Sequence, residues 1–385
     1  MGAIDNQGTI ATGRYGVYLM SGATLTGGIA NSGTIETPWD GIEIKAASSV
    51  VGDIVNRASG TIIHDGQGIY LYSDSQVTGS IVNAGTIDGT RPGYVGNSGI
   101  VVQSSTVGHD VSNAGTIFAK YEGIAPWSGS TVSGNVSNAG RIAVTAEEGM
   151  QLSSSTVAGA VVNAAGGQIQ SGNDGIVMHR GMAIDGGLVN AGTIDAAARS
   201  ICVDSASSIG GGIVNESTGQ VSGRLLVQGT DGTAGTDNGI DLLNRGAIVL
   251  ETTASEVSGD FTQEATGSLS FTLLDFTSYS AAPLLVGQDA SFAGDLILGF
   301  APTFGILDAL RFTLIDVAGI GVGTFGNYGD NALVATFGGY DLRLDYTADG
   351  DVQIYSELSS VPVPAPLALI GLGALPLLAR RRQRA

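Results

Sequence analysis

Residues 132–142 read "VSGNVSNAGRI". Val132, Val136, Asn138 and Ile142 all stand on one parity, and in an extended strand one parity is one face. An amide therefore sits on the apolar face. The same pattern, V-x-G-x-I-x-N, returns in "LTGGIAN", "VTGSIVN", "VAGAVVN", "IDGGLVN" and "IGGGIVN", mostly followed by "xGTI". It places Asn6, Asn31, Asn56, Asn83, Asn113, Asn138, Asn163, Asn190, Asn215 and Asn244 at intervals of 25, 25, 27, 30, 25, 25, 27, 25 and 29. Self-similarity at such a period marks a solenoid or array.

Working outward, three repeats lengthen the turn after the Asn, in "NRASGTI", "NAAGGQI" and "NESTGQV". Each adds two residues, which keeps the inward face inward where one would reverse it. A second apolar pair follows in "YGVYL", "DGIEI", "QGIYL", "SGIVV", "EGMQL", "DGIVM" and, less faithfully, "RSICV". Each repeat thus offers two or three short strands between Gly-rich corners. Units this small cannot close a core alone, but stacking them buries one apolar column. The expected fold is all-β, a parallel β-helix of about 25 residues per coil; ten coils at ~4.8 Å give a column roughly 48 Å long. The recurring Asn is expected to stack as a ladder of side-chain amides, a structural role and not a catalytic one.

Composition narrows the partners. The formal charge is -19, and Arg380, Arg381, Arg382 and Arg384 hold four of the sixteen cations. The twelve others are scattered over the chain and form no basic patch, which argues against a nucleic-acid partner. One cysteine, Cys202, excludes an internal disulfide and a cysteine metal cluster. It shares its repeat position with Glu43, Tyr70 and Val101, and reads as a passive thiol.

Candidate chemistry gathers in one row. The residue before the second-strand Gly is Asp40, Glu122, Glu148 or Asp174 in four repeats, with Arg199 in the next. Stacked carboxylates repel unless a cation neutralises them, so Ca²⁺ on Glu122, Glu148 and Asp174 is conceivable. Arg199 beside Asp174 favours a plainer, partly paired turn row, and neither a resident metal nor another cofactor is expected. "GTDGTAGTDNG" at 229–239 faintly resembles Gly/Asp calcium-binding nonapeptides but reads better as a turn insertion. His64, His109 and His179 fall at unrelated repeat positions, so no His pair is indicated.

Three regions follow: 1–250, the repeats; 251–357, longer alternating stretches that indicate more β-structure; and 361–385. The segment from Gly259 to about Phe325, with "FTQ", "LLVGQDASFAGDL" and "FTLIDVAGIGVGTF", resembles the C-terminal part of autotransporter passenger domains, without the β-barrel translocator. That resemblance, not periodicity, implies a right-handed helix. The chain ends "VPVPAPLALIGLGALPLLARRRQRA". Val361, Pro362, Val363, Pro364 and Ala365, then a short apolar helix, then Arg380, Arg381 and Arg382, resemble the "VPLPA" variety of PEP-CTERM sorting signals. The resemblance implies export, transient membrane insertion through this segment, and processing by an exosortase-type membrane protease. The opening "MGAIDNQGTI" already carries Gly2, Ile4, Asn6 and Ile10 at repeat positions. A coil end needs a cover and an exported chain needs a signal, so the natural reading frame is expected to extend upstream of Met1. The functional expectation is an exported, non-catalytic surface or matrix protein of a Gram-negative bacterium, structural or adhesive, associated with extracellular polysaccharide. The alternative is a carbohydrate-active β-helix enzyme, a lyase or hydrolase.

Overall fold

The structure is a computed structural model and describes residues 2–90, 97–233, 238–250, 253–274, 281–301, 304 and 310–359. It is an all-β parallel solenoid of about 11 turns, with no helix among the described residues. Three sheets run along it. One is a 13-stranded face carrying the Asn positions, from Ile4–Asn6 to Gly321–Gly323; one is an 8-stranded short face, from Thr24–Leu25 to Ser208–Ile209. The third is a 25-stranded sheet to which most coils give two strands, such as Thr34–Glu36 and Ile42–Lys45, joined through an elbow; in two coils they run together as Thr193–Val203 and Gln220–Val227.

Register explains why the two-residue turn extensions are harmless. Ile62, after the long turn, pairs with Ile35 before it and Ile87 after it, so the inward column is kept. In the coil around Asn56, Val50, Ile54, Ile62, Ile69 and Leu71 are fully buried. Each such side chain contributes about 1.5–3 kcal/mol on leaving water, and the coils share one continuous core.

The Asn period ends at Asn244, but the coiling does not. Phe261–Gln263 pairs in parallel with Leu242–Asn244, and Ala290–Phe292 and Gly321–Gly323 follow on the same face. The topology then turns antiparallel: Arg311–Val317 pairs with Val352–Leu358, that strand with Tyr340–Tyr346, and the last with Leu333–Phe337. Leu342, Leu344, Val352 and Ile354 of this meander are fully buried and join the solenoid core. The Tyr346 hydroxyl donates to Tyr328 O (2.8 Å) and accepts from the Phe325 N–H (2.9 Å), tying the meander to the final coil.

Candidate functional site

Two corners of the coil carry ordered side-chain chemistry. At the first, each Asn Nδ2 donates to the Asn Oδ1 of the next coil, from Asn6 to Asn31 (2.7 Å) through Asn138 to Asn163 (2.9 Å), Asn163 to Asn190 (2.8 Å), Asn190 to Asn215 (2.8 Å) and Asn215 to Asn244 (2.9 Å). All ten asparagines are joined in this way. The same Nδ2 also reaches a main-chain carbonyl of its neighbour, as Asn138 does to Gln168 O (3.2 Å) and Asn190 to Gln220 O (3.3 Å). The column continues where the asparagines stop: Asn244 Nδ2 donates to Gln263 Oε1 (3.0 Å), and Gln263 Nε2 to Asp295 O (2.9 Å).

The second corner is the elbow. Its glycine is required by coil spacing: a Cβ on Gly123 would strike Ile142 and the Gly149 carbonyl, and one on Gly149 would strike Ile169. The residue before that glycine is held between coils. Asp40 accepts the Gln67 N–H (2.6 Å), and burial pushes its carboxyl up to about 6. Glu122 is buried, accepts the Ser98 hydroxyl, and is also raised by burial. Glu148 is pushed up to about 7 by burial and then by Glu147 and Glu122; its hydrogen-bond partners among the described residues are Gln151 and Asn173, both at a long 3.4 Å. Asp174 is buried and accepts from Arg199 three times, from the backbone N–H (3.0 Å), Nε (2.9 Å) and Nη2 (2.5 Å).

The acidic grouping therefore differs from the one the sequence indicates. Asp174 is committed to Arg199, while Glu147 joins Glu122 and Glu148 with one oxygen of each within 4.8 Å of the others. Glu147 escapes a reading indexed on the single position before the glycine. Three carboxylates beside the Ser98 hydroxyl are a hard-oxygen donor set of the kind Ca²⁺ takes. Raised carboxyl affinities are the other answer to the same crowding: a proton replaces a cation.

The histidines stand apart. His64 is fully buried near the elbow, with Nδ1 2.9 Å from Gly66 O, and burial pulls it down to about 4. His109 is exposed after Thr106–Val107, and His179 ends Ile176–His179. Cys202 is buried in a column with Val177 and Leu226, and burial raises its thiol. Of "GTDGTAGTDNG", 234–237 lie outside the described residues, as do the motif Val361 to Ala365, the apolar segment and Arg380 to Arg382.

Two further ladders are not apparent in the repeat pattern. Backbone N–H groups of Ser48, Ser75, Ser105 and Ser130 each donate to the serine Oγ one coil on (3.1–3.4 Å). Side chains three residues before the Asn cap the next coil, as Asp53 Oδ1 accepts the Ser80 N–H and Asp110 Oδ1 the Asn135 N–H, both at 2.8 Å. The available signal is a fixed offset: those serines stand eight residues before Asn56, Asn83, Asn113 and Asn138.

A repeating coil, an unbroken amide column and an elbow whose side chains change from coil to coil define a parallel β-solenoid repeat protein. The chain belongs to the family of the BigA fourth domain, whose profile matches residues 2–194. That is a bacterial surface-protein domain, and the match fits a β-helix repeat surface protein of adhesin type. No curated protein matches the sequence. Among the described residues no helix is long and apolar enough to cross a membrane.

Proposed function

We propose that this protein is an exported structural and adhesive component of a Gram-negative cell surface, a right-handed passenger-like β-helix that holds extracellular polysaccharide. Its C-terminal tail directs it through the inner membrane to an exosortase-type protease, which cuts near "VPVPA". The observation that carries the reading is the amide column: side chains spent on joining coil to coil build a rigid rod, the form a surface spacer needs, in a chain of the BigA surface-domain family. Protease shaving of intact parent cells should release the body, and intact mass of surface-extracted protein should lack the residues after about Ala365. Protein found only inside the cell, or mature protein still carrying Arg380 to Arg384, would overturn it.

A second reading is supported by one feature. Glu148, raised to about 7 beside Glu122 and Glu147, has the proton affinity of a general acid at neutral pH. Glycosidic cleavage by two carboxylates would generate reducing ends from an acidic polysaccharide, and Glu148→Gln would abolish them. A purified chain that generates none rejects the enzyme.

A further inference from the structure

Aromatic residues are distributed unevenly along this chain. Both tryptophans and both lysines fall within residues 1–127, together with Tyr15, Tyr18, Tyr70, Tyr72 and Tyr121, and from Ser128 to Ser278 there is neither Tyr nor Trp. Register brings most of them onto one strip. On the parity opposite the core of the second elbow strand, Tyr18 aligns with Glu43, Glu43 with Tyr70, and Tyr70 with Val101; Glu43 and Val101 are buried, and the two tyrosines are partly exposed. Beside this column Lys45 aligns with Tyr72, Tyr72 with Gln103, and Gln103 with Trp127.

The strip is closely stacked and mixed in character. Tyr15 stacks on Tyr18 (4.4 Å, 7°) and meets Trp39 edge-on (5.5 Å), while Tyr70 stacks on Tyr72 (5.1 Å). Cations lie over the rings: Arg14 over Trp39 (4.7 Å), Lys45 over Tyr18 (5.0 Å) and Lys120 over Tyr121 (4.8 Å). Glu43 lies beneath, its side chain 4% exposed, and fixes Lys45 through a 3.1 Å ion pair. Arg14 and Lys120 have no salt bridge among the described residues. Trp39 is 46% exposed, and it is the one aromatic among the large apolar side chains that the described residues expose.

We propose that this strip binds a linear glycan carrying carboxylate-bearing sugars, laid along the solenoid axis. Rigid aromatic faces give the apolar side of a pyranose ring a stacking surface at low entropic cost. Guanidinium and ammonium groups between them pair with the ring carboxylates. Spacing agrees: Tyr18 and Tyr70 are two coils apart, roughly 10 Å, about the length of a disaccharide. A strip one strand wide suits a thread-like polymer better than a protein partner, which needs about 800 Å² on each side.

The inference deepens the adhesive reading above by naming its partner, and the two fail separately: shaving of cells tests location, and the following tests ligand chemistry. Purified full-length protein is titrated with a uronic-acid hexasaccharide, its carboxyl-reduced neutral counterpart, and a single-stranded hexanucleotide. The uronate should bind, weaken with added salt, and exceed both of the others. Trp39→Ala and Arg14→Gln should each lower its affinity about tenfold, a loss of about 1.4 kcal/mol, with little change in melting temperature, because Arg14 is exposed and Trp39 nearly half so. Arg245→Gln, at the Asn corner, should bind as the parent does. Equal binding of the neutral sugar or the oligonucleotide, no uronate binding, or Trp39→Ala and Arg14→Gln binding as the parent would each overturn the proposal.

Discussion

The Asn corner and the elbow belong to the same coils, yet one repeats its chemistry unchanged and the other changes partner each time. At the Asn corner every rung is the same amide-to-amide bond. At the elbow Asp40 takes a backbone N–H, Glu122 a serine hydroxyl and Asp174 an arginine fork. The difference follows from donor inventory. An amide both donates and accepts, so identical residues can stack indefinitely; a carboxylate only accepts, and identical ones one coil apart repel. A carboxylate row must therefore find a different donor, cation or proton at each step. Uniform corners are scaffold, and variable corners are where one member of a repeat family can come to differ from another.

The largest expected effect is at the uniform corner. Asn138→Leu leaves the Asn113 donor and the Asn163 acceptor without their side-chain partner in a buried column, costing about 1–3 kcal/mol. Chemical denaturation measures it, and an unchanged midpoint would break the distinction between scaffold and elbow. Asp174→Ala removes a buried carboxylate but frees an Arg199 side chain that is one-third exposed and can return to water. About 1–2 kcal/mol is expected, and a loss exceeding that of Asn138→Leu would reverse the ranking.

A smaller effect separates the corners by pH. The folded chain keeps a proton on Glu148 up to about 7, where the unfolded chain sheds it near 4.5, so this group lowers stability as pH rises across that window. Asp40 acts in the same direction up to about 6. His64 opposes them: pulled down to about 4, it stays neutral while the unfolded imidazole charges below 6.5, so it raises stability with pH between those values. In Glu148→Gln the first trend disappears. Relative to the parent, its melting temperature should climb by about 2–4 °C between pH 4.5 and 7 and level off above. A parallel pair of curves would mean that Glu148 titrates normally. The smallest effect is expected for Asn6→Leu. Asn6 is half-buried where Asn138 is fully buried, so the amide it leaves unpaired at Asn31 costs less, and thermal melting should shift by less than half the Asn138→Leu value. Equal losses would show that burial of the rung does not matter.

The legibility of the molecule divides along the same line. The Asn corner could be read because one rare choice, a polar residue on the apolar parity, recurs in ten successive coils. It survives even where the flanking letters drift, as at Asn190, whose strand begins with Leu188 and still keeps register with Val161 and Ile213. The serine ladder uses an equally fixed offset but was hidden, since Ser is abundant in every corner of this chain. The continuation past Asn244 was hidden by a substitution that preserves chemistry and changes the letter: Gln263 presents the same amide one methylene further out. At the elbow the acidic row was visible, but its pairing was not. Whether Asp174 meets a cation or another carboxylate depends on the reach of Arg199 across the corner, and the partnership of Glu147 depends on where a turn residue points. The aromatic strip shows in the sequence only as a composition bias and becomes a surface once register aligns strands 25 to 30 residues apart.

The amide column also has a direction. Each Nδ2 faces the coil that follows and each Oδ1 the coil that precedes, so the side-chain dipoles run head to tail along the rod, as peptide dipoles do along a helix axis. A stack of this kind is electrically unlike at its two ends. Between successive rungs the donor end of one amide always meets the acceptor end of the next, as Asn138 meets Asn163. At any stage of stacking the last coil in place offers an N–H donor, and a coil joins in register by bringing an acceptor to it. Gln263 closes the sequence by handing its N–H to the Asp295 main-chain carbonyl, an acceptor that every residue possesses, and so the column ends without asking for another amide.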